Sequence, residues 1–431
     1  MSLFKNINTD SIEGIKISGK LTGISYPLIK AVLEGAGVGE TVRLTDGKRI
    51  ITGEVTGFED ETVSIFPFES MDGLNSSWKV ERTGRSFTIK VSEHLVGRIL
   101  DGLGKPLDGK ELPPDSIEMS ISGSFLSPLE RKRIDTPFFT GIKAIDCFLT
   151  MGKGQRIGLF AGSGVGKSTL MGTLAKHAQS DINVVCLVGE RGREVIDFIE
   201  ESLGAEGLKK SIIIVSTSDT PSIIRWKAPL TATTIAEYFR DKGLDVLLMM
   251  DSVTRFARAG RELGLSLGET PLRRGYPASV FATMPSLLER AGNTENGSIT
   301  AIYTVLVEGG DMDEPVADEV RGILDGHIVL KRELASEGLY PAIDISQSVS
   351  RIMNSVTDVP HRRAASELKK YYSLYLQNID LVRAGAYKKG ADRDVDIALE
   401  IISELKKLIH SSVSSDPDLL TTEMRQILDK L

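Results

Sequence analysis

The chain has 431 residues but only two cysteines, Cys147 and Cys186, both in apolar settings and without ligand spacing. That excludes a disulfide framework and a thiolate zinc site, and reads as two reduced core thiols in a cytosolic protein. Five histidines are scattered, so they form no metal cluster. No apolar run approaches membrane-spanning length; the longest, around Val246–Met250, reads as one buried strand. The first eight residues, Met-Ser-Leu-Phe-Lys-Asn-Ile-Asn, lack the apolar centre of a secretory signal. Positive charge is in short supply: 52 Lys and Arg against 59 Asp and Glu leave a net charge of −7. This argues against an electrostatic grip on nucleic acid over most of the surface. What remains, 41% hydrophobic and 26% charged residues, is ordinary for a globular protein of two or three domains.

What is present falls into three parts. Residues 15–90 carry short β-branched segments between Gly/Asp turns, at Lys16–Ile24, Glu40–Thr45, Ile50–Phe58, Thr62–Pro67 and Ser86–Val91. They suit a small barrel. Residues 101–117 are dense in Gly, Pro and Asp, so turns or a linker are expected there. From about 140 to 345 strands and helices alternate. Strands are expected at 155–160, 183–189, 211–217, 245–250 and 298–307, and helices at 167–179, 193–204, 230–242, 254–264 and 316–325. Such alternation implies a mostly parallel sheet that binds ligands at the carboxyl ends of its strands. Beyond 360 the pattern is helical, with apolar stripes at Leu368, Tyr371, Tyr372, Leu376 and at Ile397, Ile401, Leu405, Leu408.

One motif carries chemistry outright. Residues 157–170 read IGLFAGSGVGKSTL: an apolar strand, a glycine-rich turn, then Lys-Ser-Thr opening a helix. This is a phosphate-binding P-loop spanning Gly162, Ser163, Gly164, Val165, Gly166, Lys167, Ser168 and Thr169. Its first position is Ala161 rather than Gly. The glycines let backbone N–H groups turn inward around a polyphosphate, and the helix adds its N-terminal partial charge. Lys167 suits the β/γ-phosphates of ATP, and the Ser168 hydroxyl suits Mg²⁺.

Around that loop, four kinds of residue answer what triphosphate hydrolysis needs. Asp251 ends an apolar strand, where a carboxylate holds Mg²⁺ and its waters; it could instead cap the following helix. Glu190 follows the strand at 183–189; it overhangs the γ-phosphate if that strand neighbours the P-loop strand, and could there polarise a water. The bland alternative is a surface ion pair. Arg351 is a candidate arginine finger, in its own subunit or a neighbour's, and Arg191 and Arg255 are further candidates near the phosphates. Tyr340, before Pro341, could stack an adenine or simply pack.

These motifs, in this order, resemble the catalytic subunits of rotary ATPases, and more closely the ATPase of flagellar and type III protein export. The resemblance covers nearly the whole chain, most tellingly GRILDGLGKPLDG (97–109), VGERGREVIDFIEESLG (188–204) and WKAPLTATTIAEYFRDKGLDVLLMMDSVTRFARA (226–259). It implies an α/β fold with a RecA-like P-loop core, here residues 96–350, between an N-terminal β-barrel (1–95) and a C-terminal helical domain (351–431). It also implies Asp251 as the Walker B acid, Glu190 as the catalytic carboxylate, Arg351 inserted into the next subunit and Tyr340 as the adenine platform. The implied work is Mg-ATP hydrolysis by a homohexameric ring that drives delivery of export substrates and chaperones. Implied partners are a coiled-coil stalk protein, a regulatory stator-like protein and the export gate, at the inner face of the cell membrane. Virulence-type secretion, an ATP synthase catalytic subunit and an RNA-translocating hexamer are the competing readings. A non-catalytic nucleotide-binding subunit would typically carry Gln where Glu190 stands.

Overall fold

Six strands close into a barrel near the N-terminus of the computed structural model, which describes residues 17–123, 127–411 and 416–430. In spatial order they are Ser18–Ser25, Leu28–Val32, Thr62–Pro67, Ile50–Glu59, Glu40–Thr45 and Lys79–Ser86, which returns to the first. Alternation explains the closure: Val63 and Ile65 face a core with Ile29, Val42, Leu44, Ile51, Val55 and Trp78, while Thr62 and Ser64 are half-buried. The strand expected at Lys16–Ile24 is Ser18–Ser25, and Lys16 lies outside the described residues. Two barrel strands escaped the pattern, Leu28–Val32 and Lys79–Ser86, the latter (KVERTGRS) with Val80 as its one buried apolar side chain. The expected strand Ser86–Val91 is instead Thr88–Val91, which leaves the barrel and pairs with Ile117–Ser120. The Gly/Pro-rich stretch 101–117 runs as turns between two strands, Ile99–Asp101, which adds an edge strand to the central sheet, and Ile117–Ser120.

That sheet runs, edge to edge, Val349–Ser350, Gly326–Leu330, Arg156–Ala161, Ser298–Leu306, Asp245–Asp251, Ile182–Glu190, Ser211–Thr217 and Ile99–Asp101. All neighbours on this path are parallel except the edge strand Val349–Ser350. Both faces are covered, as near-continuous apolar strands require. One face takes helices Ser222–Asp241, Val253–Ser266, Ala278–Leu288 and Pro315–Ile323. The other takes the P-loop helix Lys167–His177, and on the same side the C-terminal helices Val359–Arg383, Arg393–Ile409 and Pro417–Leu428.

Prolines account for the largest departures in this part. The helix expected at 230–242 starts at Ser222 and runs through Pro229. A proline in a helix interior costs about 3 kcal/mol, but Ala228, Ala232, Ile235, Ala236 and Phe239 are all buried along this helix. The helix Ala278–Leu288, with Pro285 inside, was not expected. In the C-terminal stripe Leu368, Tyr371 and Tyr372 are buried, but Leu376 is exposed and Tyr375 fills the inward position beside it.

Candidate functional site

The P-loop sits where the strand Arg156–Ala161 gives way to the helix Lys167–His177. Gly164 and Gly166 take φ of +75° and +85°, a region other residues enter only with strain. Gly166 caps the helix without any side-chain hydrogen bond, so the first-turn N–H groups are free to meet an anion. The Lys167 ammonium lies 2.5 Å from Asp251 Oδ1, which also accepts from Thr304 Oγ1 at 2.8 Å. Asp251 ends its strand at 3% exposure. The cap of the next helix is Ser252, whose hydroxyl accepts from the Arg255 N–H, so capping does not account for Asp251.

Glu190 reaches the same place by a route the sequence did not suggest. Its strand is not beside the P-loop strand; Ser298–Leu306 and Asp245–Asp251 lie between them. A bulge between Val188 and Glu190, with Gly189 at φ +68°, turns the carboxylate inward. Lys167 extends over the intervening strand ends to within 3.8 Å of Glu190 Oε1. Arg255 holds the other oxygen, Oε2, at 3.0 Å and donates a second bond to the Gly189 carbonyl. Glu190 Oε1 is buried and has no hydrogen-bond partner. Burial pushes the Glu190 carboxyl up to about 8, helped by a hydrogen bond to Glu194 and by the charge of Asp251, against the pull of Lys167 and Arg255. Glu194 moves the other way, because it accepts that bond.

Together these groups line a cleft of about 600 Å³ with Lys167, Ser168, Glu190, Asp251 and Arg255 on its wall. An apolar cleft of about 200 Å³ adjoins it, formed by Ile142, Val165, Leu170, Leu330, Pro341 and Tyr340, with Ser411 at its edge. Tyr340 borders both, and its ring lies so near Gly166 that a Cβ there would come within 3.1 Å of it. One cleft suits phosphates and the other suits a base.

Two sequence candidates are not brought in. The Arg191 guanidinium is exposed and pairs with Glu194 at 3.2 Å, outside the residues that line the cleft; Arg255 holds the position inside. Arg351 follows the edge strand Val349–Ser350, which pairs with Gly326–His327, the amino-terminal start of its neighbour. It therefore lies at the opposite end of the sheet from its own P-loop. Glu194, Thr304 and the apolar lining of the base cleft were not read from sequence. For Glu194 a signal existed, since it follows Glu190 by four residues in GERGRE.

The donor set fits Mg²⁺. That ion keeps several waters and takes one or two protein oxygens beside substrate phosphates. Ser168, exposed in the first helical turn, and the Asp251 carboxylate supply hard oxygen donors. Among the described residues no group of three His, Cys, Asp or Glu forms an all-protein cage.

A parallel sheet with a P-loop, a strand-end acid and a second carboxylate at one cleft defines a RecA-like nucleoside triphosphatase. Residues 141–350 match the model of the ATP synthase alpha/beta family, nucleotide-binding domain. Residues 23–84 match that family's beta-barrel domain, and 357–425 match the T3SS EscN ATPase C-terminal domain. The chain is 50% identical to the flagellum-specific ATP synthase of Bacillus subtilis over 86% of its length and 85% of that protein's. It superposes on the assembled ATPase EscN of the enteropathogenic E. coli type III secretion system with a TM-score of 0.89 and 45% identity, covering 95% of this chain and all of that one. EscN in complex with its central stalk EscO gives 0.88 at the same identity and coverage. The chain belongs to this family: it is an ATPase of the flagellar and type III export class, with the α/β fold and the flanking barrel and helical parts that the resemblance implied.

Proposed function

We propose that the chain hydrolyses Mg-ATP to drive protein export through a flagellar apparatus. The observation that carries the reading is the convergence of Lys167, Asp251, Glu190 and Arg255 on one cleft beside an apolar base site. The P-loop N–H groups, Lys167 and Thr169 hold the triphosphate, and Tyr340 packs on the adenine. Ser168 and Asp251 hold Mg²⁺, which when bound neutralises charge on the β/γ-oxygens. Glu190, as the carboxylate, accepts a hydrogen bond from the attacking water and polarises it. Arg255 keeps Glu190 oriented and adds positive charge at the phosphates. Arg191, on the rim, acts only through Glu194.

The position of Arg351 favours a ring in which each subunit completes its neighbour's site, taken here as a homohexamer. The stalk-bound EscN structure supports a coiled-coil stalk partner. A regulatory stator-like protein, chaperones, export substrates and the export gate complete the set, with no role for nucleic acid. Among the described residues no helix is long and apolar enough to cross a membrane, in keeping with a cytoplasmic protein held peripherally at the membrane's inner face. The likeness to EscN favours virulence-type secretion as the second reading, and the neighbouring open reading frames distinguish the two.

The test is a pH profile. Glu190 works deprotonated, and its pKa in the free enzyme is raised to about 8. We expect kcat/KM to climb about tenfold per pH unit below that value and to level off above it. A flat profile from about pH 6 to 9 contradicts a Glu190 that must lose a proton before it can act.

A further inference from the structure

The loop that carries Tyr340 and Pro341 is gripped from two sides. From the nucleotide-binding side, Lys331 N–H donates to the Ala342 carbonyl at 2.9 Å, and Leu330 bridges to Ile343. From the C-terminal helices, His410 Nδ1 lies 2.9 Å from the Pro341 carbonyl oxygen. That oxygen only accepts, so Nδ1 carries the hydrogen. His410 caps the helix Arg393–Ile409, and the residue after it, Ser411, borders the base cleft. One turn earlier, Lys406 of the same helix reaches Glu337, at the start of the loop, at 3.8 Å. His410 Nε2 is buried without a partner, so the ring's sole polar anchor on the described residues is Pro341.

We propose that His410 is a positioning residue for the base of the bound nucleotide: it holds the Tyr340–Pro341 loop against the cleft, so the C-terminal helices set base affinity. This rests on the base-cleft reading above. Among the described residues the His410 side chain makes no hydrogen bond to a phosphate-binding residue, and Lys167, Glu190 and Asp251 are held by hydrogen bonds that do not involve it. Its loss therefore loosens the base and spares the chemistry.

The experiment compares Mg-ATP with inorganic triphosphate, which has no base, on the full chain. For His410→Ala we expect the Kd and KM for Mg-ATP to rise about fivefold, the effect of one hydrogen bond. We expect kcat at saturation to stay within about twofold and triphosphate affinity to hold, since only the base contact is lost. His410→Asn, whose amide nitrogen falls near the Nδ1 position, restores Mg-ATP affinity. Unchanged Mg-ATP affinity in His410→Ala overturns the proposal, as does equal weakening of both ligands. If the Ala variant does not fold, His410→Gln, whose amide sits one bond further out, replaces it. Asn no better than Gln then overturns it. A wild-type chain that binds Mg-ATP no more tightly than triphosphate instead overturns the base cleft, and this proposal with it.

Discussion

Replacing Glu190 with Gln should reduce ATP turnover by about 10²- to 10⁴-fold, the range for loss of a positioned acid–base group, while leaving nucleotide binding intact. The substitution keeps size and shape. Gln retains a carbonyl oxygen for the 3.0 Å contact from Arg255, so the wall of the cleft stays in place. What goes is the negative charge that accepts a hydrogen bond from water. Lys167, Ser168 and Asp251 remain, so the phosphates still have their cradle. Above about pH 8, where Glu190 is ionised, removing one of the two carboxylates beside Lys167 also lowers the repulsion that the triphosphate meets, and below it little charge is lost, so affinity should hold or improve. Single-turnover hydrolysis measured beside equilibrium ATP binding separates the two effects. A Gln variant that turns over near the wild-type rate removes Glu190 from the chemistry.

The second large effect is expected at Arg351. Its backbone N–H donates to the Asp325 carbonyl at 3.0 Å and its guanidinium to the Arg321 carbonyl at 3.3 Å. Both contacts lie at the amino-terminal end of the strand Gly326–Leu330, whose far end adjoins the P-loop side. Five residues of strand at ~3.3 Å each put ~16 Å between the two levels, more than one Arg side chain spans. If Arg351 is a finger, it serves another copy. Arg351→Ala should therefore cost about 10³- to 10⁵-fold in turnover, the worth of such a residue in related hydrolases. Lys167→Ala should be inactive too, for lack of a phosphate ligand. Mixed rings of the two recover activity, because a Lys167→Ala subunit still offers its Arg351 to a neighbour with an intact P-loop. Mixtures no more active than the separate variants mean that the finger does not act across subunits.

The P-loop was legible because its chemistry is local. Glycines in left-handed turns, a lysine and a hydroxyl must follow one another within a few residues, and the flanking strand and helix have clear periods. Asp251 was legible for the same reason, as the end of an apolar run. Glu190 was found, but for the wrong geometric reason: strand order is a long-range property, and no pattern in the strand itself says that two others stand between it and the P-loop. The bulge at Gly189 delivers the carboxylate all the same. Choosing between Arg191 and Arg255 also needed three dimensions. Arg191 is adjacent to Glu190 in sequence yet points to solvent, whereas Arg255, 65 residues on, donates to it directly. In the barrel, Lys79–Ser86 escaped because most of its side chains are polar, and in the nucleotide-binding part Pro229 and Pro285 hid helix that packing maintains.

Density for a bound non-hydrolysable ATP analogue with Mg²⁺ bears most directly on the whole scheme. It should place the β- and γ-phosphates on the N–H groups of residues 162–169, the metal between Ser168 and Asp251, and the base between Tyr340 and the Ile142–Leu330 wall. Phosphates bound anywhere else, with the glycine turn left empty or filled by its own side chains, would contradict it.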